Sequence, residues 1–234
     1  MSRTRIAPLA DSVLDRVGLD IVEGELASGQ TFTLHELCER FEVSRTVARE
    51  TMRSLEDLML VEARPRIGIR VLPRERWNVF APKVISWKLV SSGHDAQLRT
   101  LTELRAAIEP MAALHAATRA TEAQRDRLVV LADQLKRLGQ GGEGDRQEFL
   151  DADIEFHSLL LHASGNDMFA SLADVIGEVL IGRTRLGLQP AHPEPEALHR
   201  HVELARAISA RDEAAAELHA RALVTEVREA LKDL

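Results

Sequence analysis

Apolar residues recur every three or four positions along most of this chain, the spacing that places them on one face of a helix. Near the N-terminus the pattern predicts short helices over about residues 9–26, 34–41 and 44–58. Later helical patterns continue to the end of the chain and are separated by polar, Gly-rich or Pro-rich breaks at 91–95, 139–144, 164–167 and 189–196. We therefore expect a mainly α protein.

One short segment departs from the helical pattern. Between Leu60 and Pro73, short apolar stretches flank Arg-Pro-Arg and Gly68, a pattern typical of a small β-hairpin. This hairpin would complete an N-terminal domain. The expected organisation is an N-terminal domain over 1–75, a linker over 76–94 and an all-helical antiparallel bundle over 95–234.

Composition narrows the class of protein. Aromatic residues make up 3% of the chain and tyrosine is absent, which argues against an all-β core. The single cysteine, Cys38, excludes an internal disulfide framework. No apolar run approaches the roughly 20 residues of a membrane span, and the N-terminus lacks the apolar centre of a secretory signal. We expect a cytoplasmic protein without a membrane partner.

Charge is distributed unevenly. The net charge is −7, yet residues 43–76 hold eight arginines against five acidic residues. Arginine is the side chain best suited to bidentate contacts with phosphate and guanine. This segment therefore points to a nucleic-acid partner that the net charge alone would not suggest.

The segment at 44–58 has the features of a DNA-recognition helix. Ser44 is placed to cap it, Arg45 and Thr46 fall in its first turn, and Arg49 follows one turn later. A tight turn before it and an Arg-bearing hairpin after it are the parts of a winged helix-turn-helix, whose second helix enters the major groove. The alternative is an amphipathic surface helix with solvated arginines.

Arg105 lies within an apolar stripe of the first bundle helix. A buried guanidinium needs a partner, because an unpaired buried charge is costly. Glu109, one helical turn further on, could supply an ion pair. Alternatively, Arg105 could bind the carboxylate of a ligand in a cavity.

Three further polar residues occupy apolar helix faces. Asp153 and His157 are four residues apart, and His201 shares a face with leucines and an isoleucine. A carboxylate and imidazoles are suitable ligands for zinc, nickel and similar ions. The alternatives are hydrogen-bonded core residues or, with an open metal position, a metalloenzyme acting on a small carboxylate.

The N-terminal residues resemble a known family. The stretch "CERFEVSRTVARETMRSLEDLMLVEARPRIGIRV" is similar to the DNA-binding domain of the GntR superfamily of transcription regulators. Arg66 stands where the wing of that family often has a glycine. The resemblance implies an operator-DNA partner, a wing that reaches toward the minor groove, and DNA contacts from Ser44, Arg45, Thr46, Arg49, Arg66 and Gly68.

The bundle resembles the FCD ligand-binding domain of the FadR subfamily, over about residues 95–232. The resemblance rests on "ELRAAIEP", "DADIEFH", "ASGN" and "HVELARAISARDEAAA". It implies a divalent metal, with zinc favoured over nickel or manganese, bound by Asp153, His157 and His201. The family's fourth ligand position falls on Leu223, and His219 lies one turn earlier.

Within this family the segments "RWNVFAPKVISWKLVSSG" and "ELRAAIEP" are most like regulators of sugar-acid catabolism. The resemblance implies a homodimeric repressor that a small carboxylate effector, bound by the metal or Arg105, releases from a pseudo-palindromic operator. Arg183 and Arg185 are further effector candidates, with solvated surface charge as the alternative for at least one of them.

Overall fold

The computed structural model of the protein describes residues 13–230, with side chains through residue 225. The chain divides into two compact units, Met1–His94 and Asp95–Leu234. The first unit comprises α1 (Val13–Glu23), β1 (Thr31–Phe32), α2 (Leu34–Phe41), α3 (Arg45–Asp57), β2 (Val61–Arg64), β3 (Gly68–Val71), a 3-10 turn (Arg74–Arg76) and α4 (Pro82–Val90). The predicted start of the first helix at residue 9 lies outside the described residues.

The junction between α2 and α3 is set by local capping. A capping box between Thr33 and Glu36 begins α2, and Glu42, in the left-handed region at φ 54°, ends it. Ser44 then caps α3 by accepting a hydrogen bond from the Val47 backbone N–H at 3.3 Å. The helix-turn-helix expected from the sequence is therefore present.

A three-stranded antiparallel sheet in the order β1-β3-β2 completes the first unit. The β2–β3 hairpin is the one that the sequence predicted, whereas the two-residue strand β1 was not predicted. At the hairpin tip the Ile67 N–H donates to the Arg64 carbonyl at 3.1 Å, and Arg66 has φ 65°. With Pro65 at its second position, this is the geometry of a type II turn, whose third residue is usually glycine.

The segment expected to be a linker belongs to the first compact unit. Helix α4 packs against α1, and the Trp87 ring lies so close to Gly18 that a Cβ there would come within 2.5 Å of it. Trp87 Nε1 also donates to Asp15 Oδ1 at 3.0 Å. Residues 82–90 are therefore not a linker. The packing of this apolar helix against α1, and not the Pro-rich segment before it, determines the unit to which the helix belongs.

The second unit is a helical bundle, as expected. Its elements are α5 (His94–Arg119), α6 (Glu122–Gln140), α7 (Gln147–Ala163), the short α8 (Asp167–Ala170), α9 (Ala173–Arg185), α10 (Pro195–Ser209) and α11 (Glu213–Ala230). Helices α6, α7, α10 and α11 enclose the main apolar core, and α9 packs on α7. In the described part of the chain, every helix is too short or too polar to cross a membrane.

Candidate functional site

Helix α3 presents its basic residues to solvent. Arg45, Thr46 and Arg49 are exposed, while Ala48 and Met52 hold the opposite face in the core of the first unit. Neither arginine has a hydrogen bond or an ion pair with any described residue. Their guanidinium groups are thus available to an external anion, as a recognition helix requires.

In the wing, which is the hairpin formed by β2 and β3, two arginines pair with the same carboxylate. Glu62 pairs with Arg64 at 2.9 Å and with Arg70 at 3.3 Å across the hairpin. Arg66, at the tip, is exposed and has no ion pair among the described residues. Gly68 has φ 107°, and a Cβ there would lie 2.7 Å from the Phe32 carbonyl oxygen, so the close approach of β1 requires glycine.

In the bundle, α7 and α10 bring together Asp153, His157 and His201, hereafter the candidate ligand set. One ligand atom from each lies within 4.8 Å of the other two, and all three side chains are buried. Asp153 Oδ1 is 3.4 Å from His157 Nε2 and 3.5 Å from His201 Nε2. Residues that are far apart in sequence therefore meet at one point, as the metal prediction required.

Both imidazoles are oriented through their Nδ1 atoms. His201 Nδ1 is 2.8 Å from the Ala197 carbonyl oxygen, which can only accept, so Nδ1 carries the proton. His157 Nδ1 is 3.0 Å from Glu109 Oε2. With Nδ1–H donating in each ring, both Nε2 lone pairs face Asp153, the usual arrangement of ligating histidines. The lone pair of His157 also accepts from Arg105 Nη2 at 3.2 Å, whereas that of His201 has no partner among the described residues.

The same atoms are short of partners. Asp153 Oδ1 and His201 Nε2 are buried and form no hydrogen bond with the described residues. Burial raises the pKa of Asp153, but the neighbouring imidazoles of His157 and His201 outweigh it and hold the pKa well below its usual range. An ionised carboxylate and two imidazole nitrogens at one buried point fit a divalent ion.

Arg105 forms the buried ion pair with Glu109 that the sequence allowed. Arg105 Nε is 2.5 Å from Glu109 Oε1, and both side chains are almost fully buried. Burial raises the pKa of Glu109, but Arg105 and His157 outweigh that effect and lower the pKa to about 2. Arg105 Nη2 lies 3.2 Å from His157 Nε2, whereas the buried Nη1 has no partner among the described residues.

Arg183 also reaches this region, and sequence reasoning could not separate it from Arg185. Arg183 is partly buried on α9, whereas Arg185 is exposed. Burial, together with the charge of Arg105, lowers the pKa of Arg183 to about 10, against an opposing effect of Asp153. Helical periodicity could predict this placement only weakly, because the placement of Arg183 depends on how α9 packs against α7.

The position of the family's fourth ligand is apolar. Leu223 is 4% exposed and contributes no ligand atom. His219, one turn earlier, is partly buried, and among the described residues it is not grouped with the candidate ligand set. The set would therefore supply three protein ligands to a metal and would leave coordination positions for water or an effector.

Comparison with known proteins identifies the family. The chain matches the FCD domain profile over residues 100–226 and the profile of bacterial regulatory proteins of the gntR family over residues 9–71. The chain belongs to the GntR family and carries an FCD domain. This GntR-family protein is a DNA-binding transcription regulator and not an enzyme, so the metalloenzyme alternative is wrong.

Individual relatives are similar to this chain over nearly its whole length. The galactonate operon transcriptional repressor of Escherichia coli is 30% identical over 96% of this chain and 97% of its own. The HTH-type transcriptional regulator LutR of Bacillus subtilis is 29% identical over 90% of this chain and 95% of its own. Among solved structures, Streptococcus agalactiae GntR has 27% identity and a TM-score of 0.52, covering 93% of this chain and 98% of that one.

Proposed function

We propose that this GntR-family regulator is a homodimeric repressor of a sugar-acid catabolic operon and that a sugar acid bound in the bundle releases it from its operator. The observation that carries the proposal is the buried site in which the candidate ligand set lies beside Arg105, whose Nη1 has no partner among the described residues. Similarity to the galactonate operon repressor over 96% of the chain supports the effector class. In this proposal the protein acts in the cytoplasm, where it meets its operator.

The metal would be held by Asp153 Oδ1, His157 Nε2 and His201 Nε2. Zinc is favoured over nickel or manganese, because two imidazoles and one carboxylate suit a borderline-soft ion. When bound, it supplies a Lewis-acidic positive charge for a carboxylate oxygen. Glu109 and the Ala197 carbonyl keep the two imidazoles oriented, and Arg105 offers Nη1 to the carboxylate.

DNA recognition is assigned to α3 and the wing. Ser44 fixes the start of α3, while Arg45, Thr46 and Arg49 project from its exposed first turns. In the wing, Gly68 permits the tight packing that supports the exposed Arg66. Dimerisation lets two small domains engage two half-sites, which multiplies their affinity.

The effector acts through linkage. Its effect on operator affinity equals its differential affinity for the bound and released arrangements of the dimer, and no more. A sugar acid that binds equally to both arrangements would therefore not release the dimer from its operator.

The test begins with an operator selected in vitro from random DNA by the zinc-loaded full-length protein. Replacing both Arg45 and Arg49 with Ala should weaken operator binding by roughly 100-fold or more and reduce the salt slope by about 2, while effector binding remains. The matched control replaces Arg99 and Arg137, two exposed arginines of the bundle. Unchanged operator affinity in the α3 variant would contradict the assignment of the recognition helix.

A further inference from the structure

Arg183 is a cation without a counter-ion in the described part of the chain. Helix α9, which carries it, packs against α7, and Ile176 of α9 lies in one apolar cluster with Ala112 of α5 and Leu161 of α7. Arg183 follows Ile176 by about two helical turns, while Arg105 and Asp153 precede Ala112 and Leu161 by about two turns, so this packing brings Arg183 level with the site. Arg183 is partly buried and forms no hydrogen bond or ion pair with a described residue. A guanidinium shielded from water normally has an anionic partner, so its solitary state requires an explanation.

The two carboxylates of the site, those of Glu109 and Asp153, are already engaged. Glu109 is bound by Arg105 and His157, and Asp153 faces the two imidazoles. The charge of Arg105 and burial both act against the Arg183 cation, whose pKa falls to about 10. An additional anion between the two arginines would relieve this repulsion.

Charge balance indicates how much negative charge the site accepts. Two carboxylates, Glu109 and Asp153, offset the two guanidinium groups of Arg105 and Arg183, while the histidines ligate as neutral imidazoles. A divalent ion would therefore leave an excess of two positive charges. In a water-poor site such an excess favours a ligand with two negative charges over one with a single charge.

We infer that the site selects a sugar acid with two anionic groups, the first bound by the metal and Arg105 and the second by Arg183. This inference rests on the proposed function and names the charge class of its effector. The second anionic group is a carboxylate or a phosphate ester at the far end of the sugar acid. Arg183 is then a specificity-determining residue, whereas the exposed Arg185 is not.

The experiment compares acids that differ only at the far carbon. Calorimetric titration of the zinc-loaded full-length protein would use gluconate, glucarate and 6-phosphogluconate, which share one configuration, and the galactonate–galactarate pair. We expect at least one acid with two anionic groups to bind roughly 10-fold or more tightly than its counterpart with one, since a charge-assisted hydrogen bond is worth that much. The better of glucarate and 6-phosphogluconate identifies the second group.

Variants then assign the preference to a residue. Arg183→Gln should lower the affinity for the acid with two anionic groups to that of its counterpart with one, whereas Arg185→Gln, on the same helix, should leave the preference intact. A zinc-induced rise in melting temperature verifies that Arg183→Gln remains folded. If that variant does not fold, the comparison of acids on the wild-type protein still decides the charge class, and Arg183→Lys tests the residue.

Two outcomes overturn the inference in distinguishable ways. Equal affinity for acids with one and with two anionic groups, or a preference that survives Arg183→Gln, rejects two-anion selection but does not contradict the proposed sugar-acid regulator. If acids of neither class, with one or with two anionic groups, bind to the zinc-loaded protein, the proposed effector is wrong and so is the inference.

Discussion

Glu109 Oε2 lies 3.0 Å from His157 Nδ1, while Glu109 Oε1 accepts from Arg105 Nε at 2.5 Å. One buried carboxylate thus compensates the charge of Arg105 and orients a candidate metal ligand. The ion pair and the candidate metal site, which the sequence presented as separate problems, share this residue. Glu109 is a positioning residue whose removal should affect stability and metal affinity together.

Glu109→Gln should lower the free energy of unfolding by about 3–5 kcal/mol, because it leaves the Arg105 charge uncompensated in the core. Zinc affinity should also fall by roughly 10- to 100-fold, as for other lost partners of a ligating histidine. Urea denaturation in chelator and zinc titration against a competing chelator measure the two effects.

Glu155→Gln is the matched control for that change. Glu155 pairs with Arg127 at 2.6 Å, but both side chains are about half exposed. The cost of losing this surface pair should stay within about 1 kcal/mol. If Glu109→Gln is no more costly than Glu155→Gln, the buried pair does not have the role assigned to it.

His201→Ala should abolish the stabilisation that zinc gives to the wild-type protein. Zinc at 100 times its dissociation constant should stabilise the native state by about 2.7 kcal/mol, seen as a higher melting temperature. His199→Ala, on the same helix but exposed, is the control and should respond to zinc as the wild type does. A wild-type response retained by His201→Ala would remove His201 from the candidate ligand set.

Leu223→His tests the meaning of the apolar fourth position. The buried imidazole should cost about 1–3 kcal/mol without metal, because it has lost water and gained no partner. With zinc present, a fourth ligand should raise metal affinity and recover this loss. Denaturation with and without zinc measures both effects, and an equal loss in both conditions would show that residue 223 does not face the metal.

Arg66→Gly separates fold stability from DNA binding. Arg66 has φ 65°, a conformation that costs a residue with a Cβ roughly 1 kcal/mol more than glycine. The variant should therefore melt at a higher temperature and yet bind operator more weakly. Melting curves and binding isotherms at several salt concentrations measure the two properties.

Arg211→Gly is the control for the wing variant. Arg211 is exposed in the bundle and has φ 60°, so glycine should stabilise the protein similarly there without changing operator affinity. Equal operator affinity for Arg66→Gly and wild type would show that the wing arginine is retained for another reason.

Local patterns predicted much of the fold. Ser44 was recognised as a cap because capping depends on its immediate neighbours, and the hairpin was recognised from Pro65 and Gly68. Strand β1 was missed because two residues carry too little periodicity and are held by β3 alone. The role of 82–90 was missed because packing on α1 is a long-range property.

For the site, the sequence by itself determined which side chains are out of place: a carboxylate, two imidazoles and a guanidinium on apolar helix faces, whose burial is favourable only with partners. Only the tertiary structure decided that Asp153, His157 and His201 converge, that Glu109 joins Arg105 to His157, and that Arg183 is partly buried while Arg185 is exposed. The physical reason is that helical periodicity fixes the face on which a residue lies, whereas convergence depends on how separate helices pack.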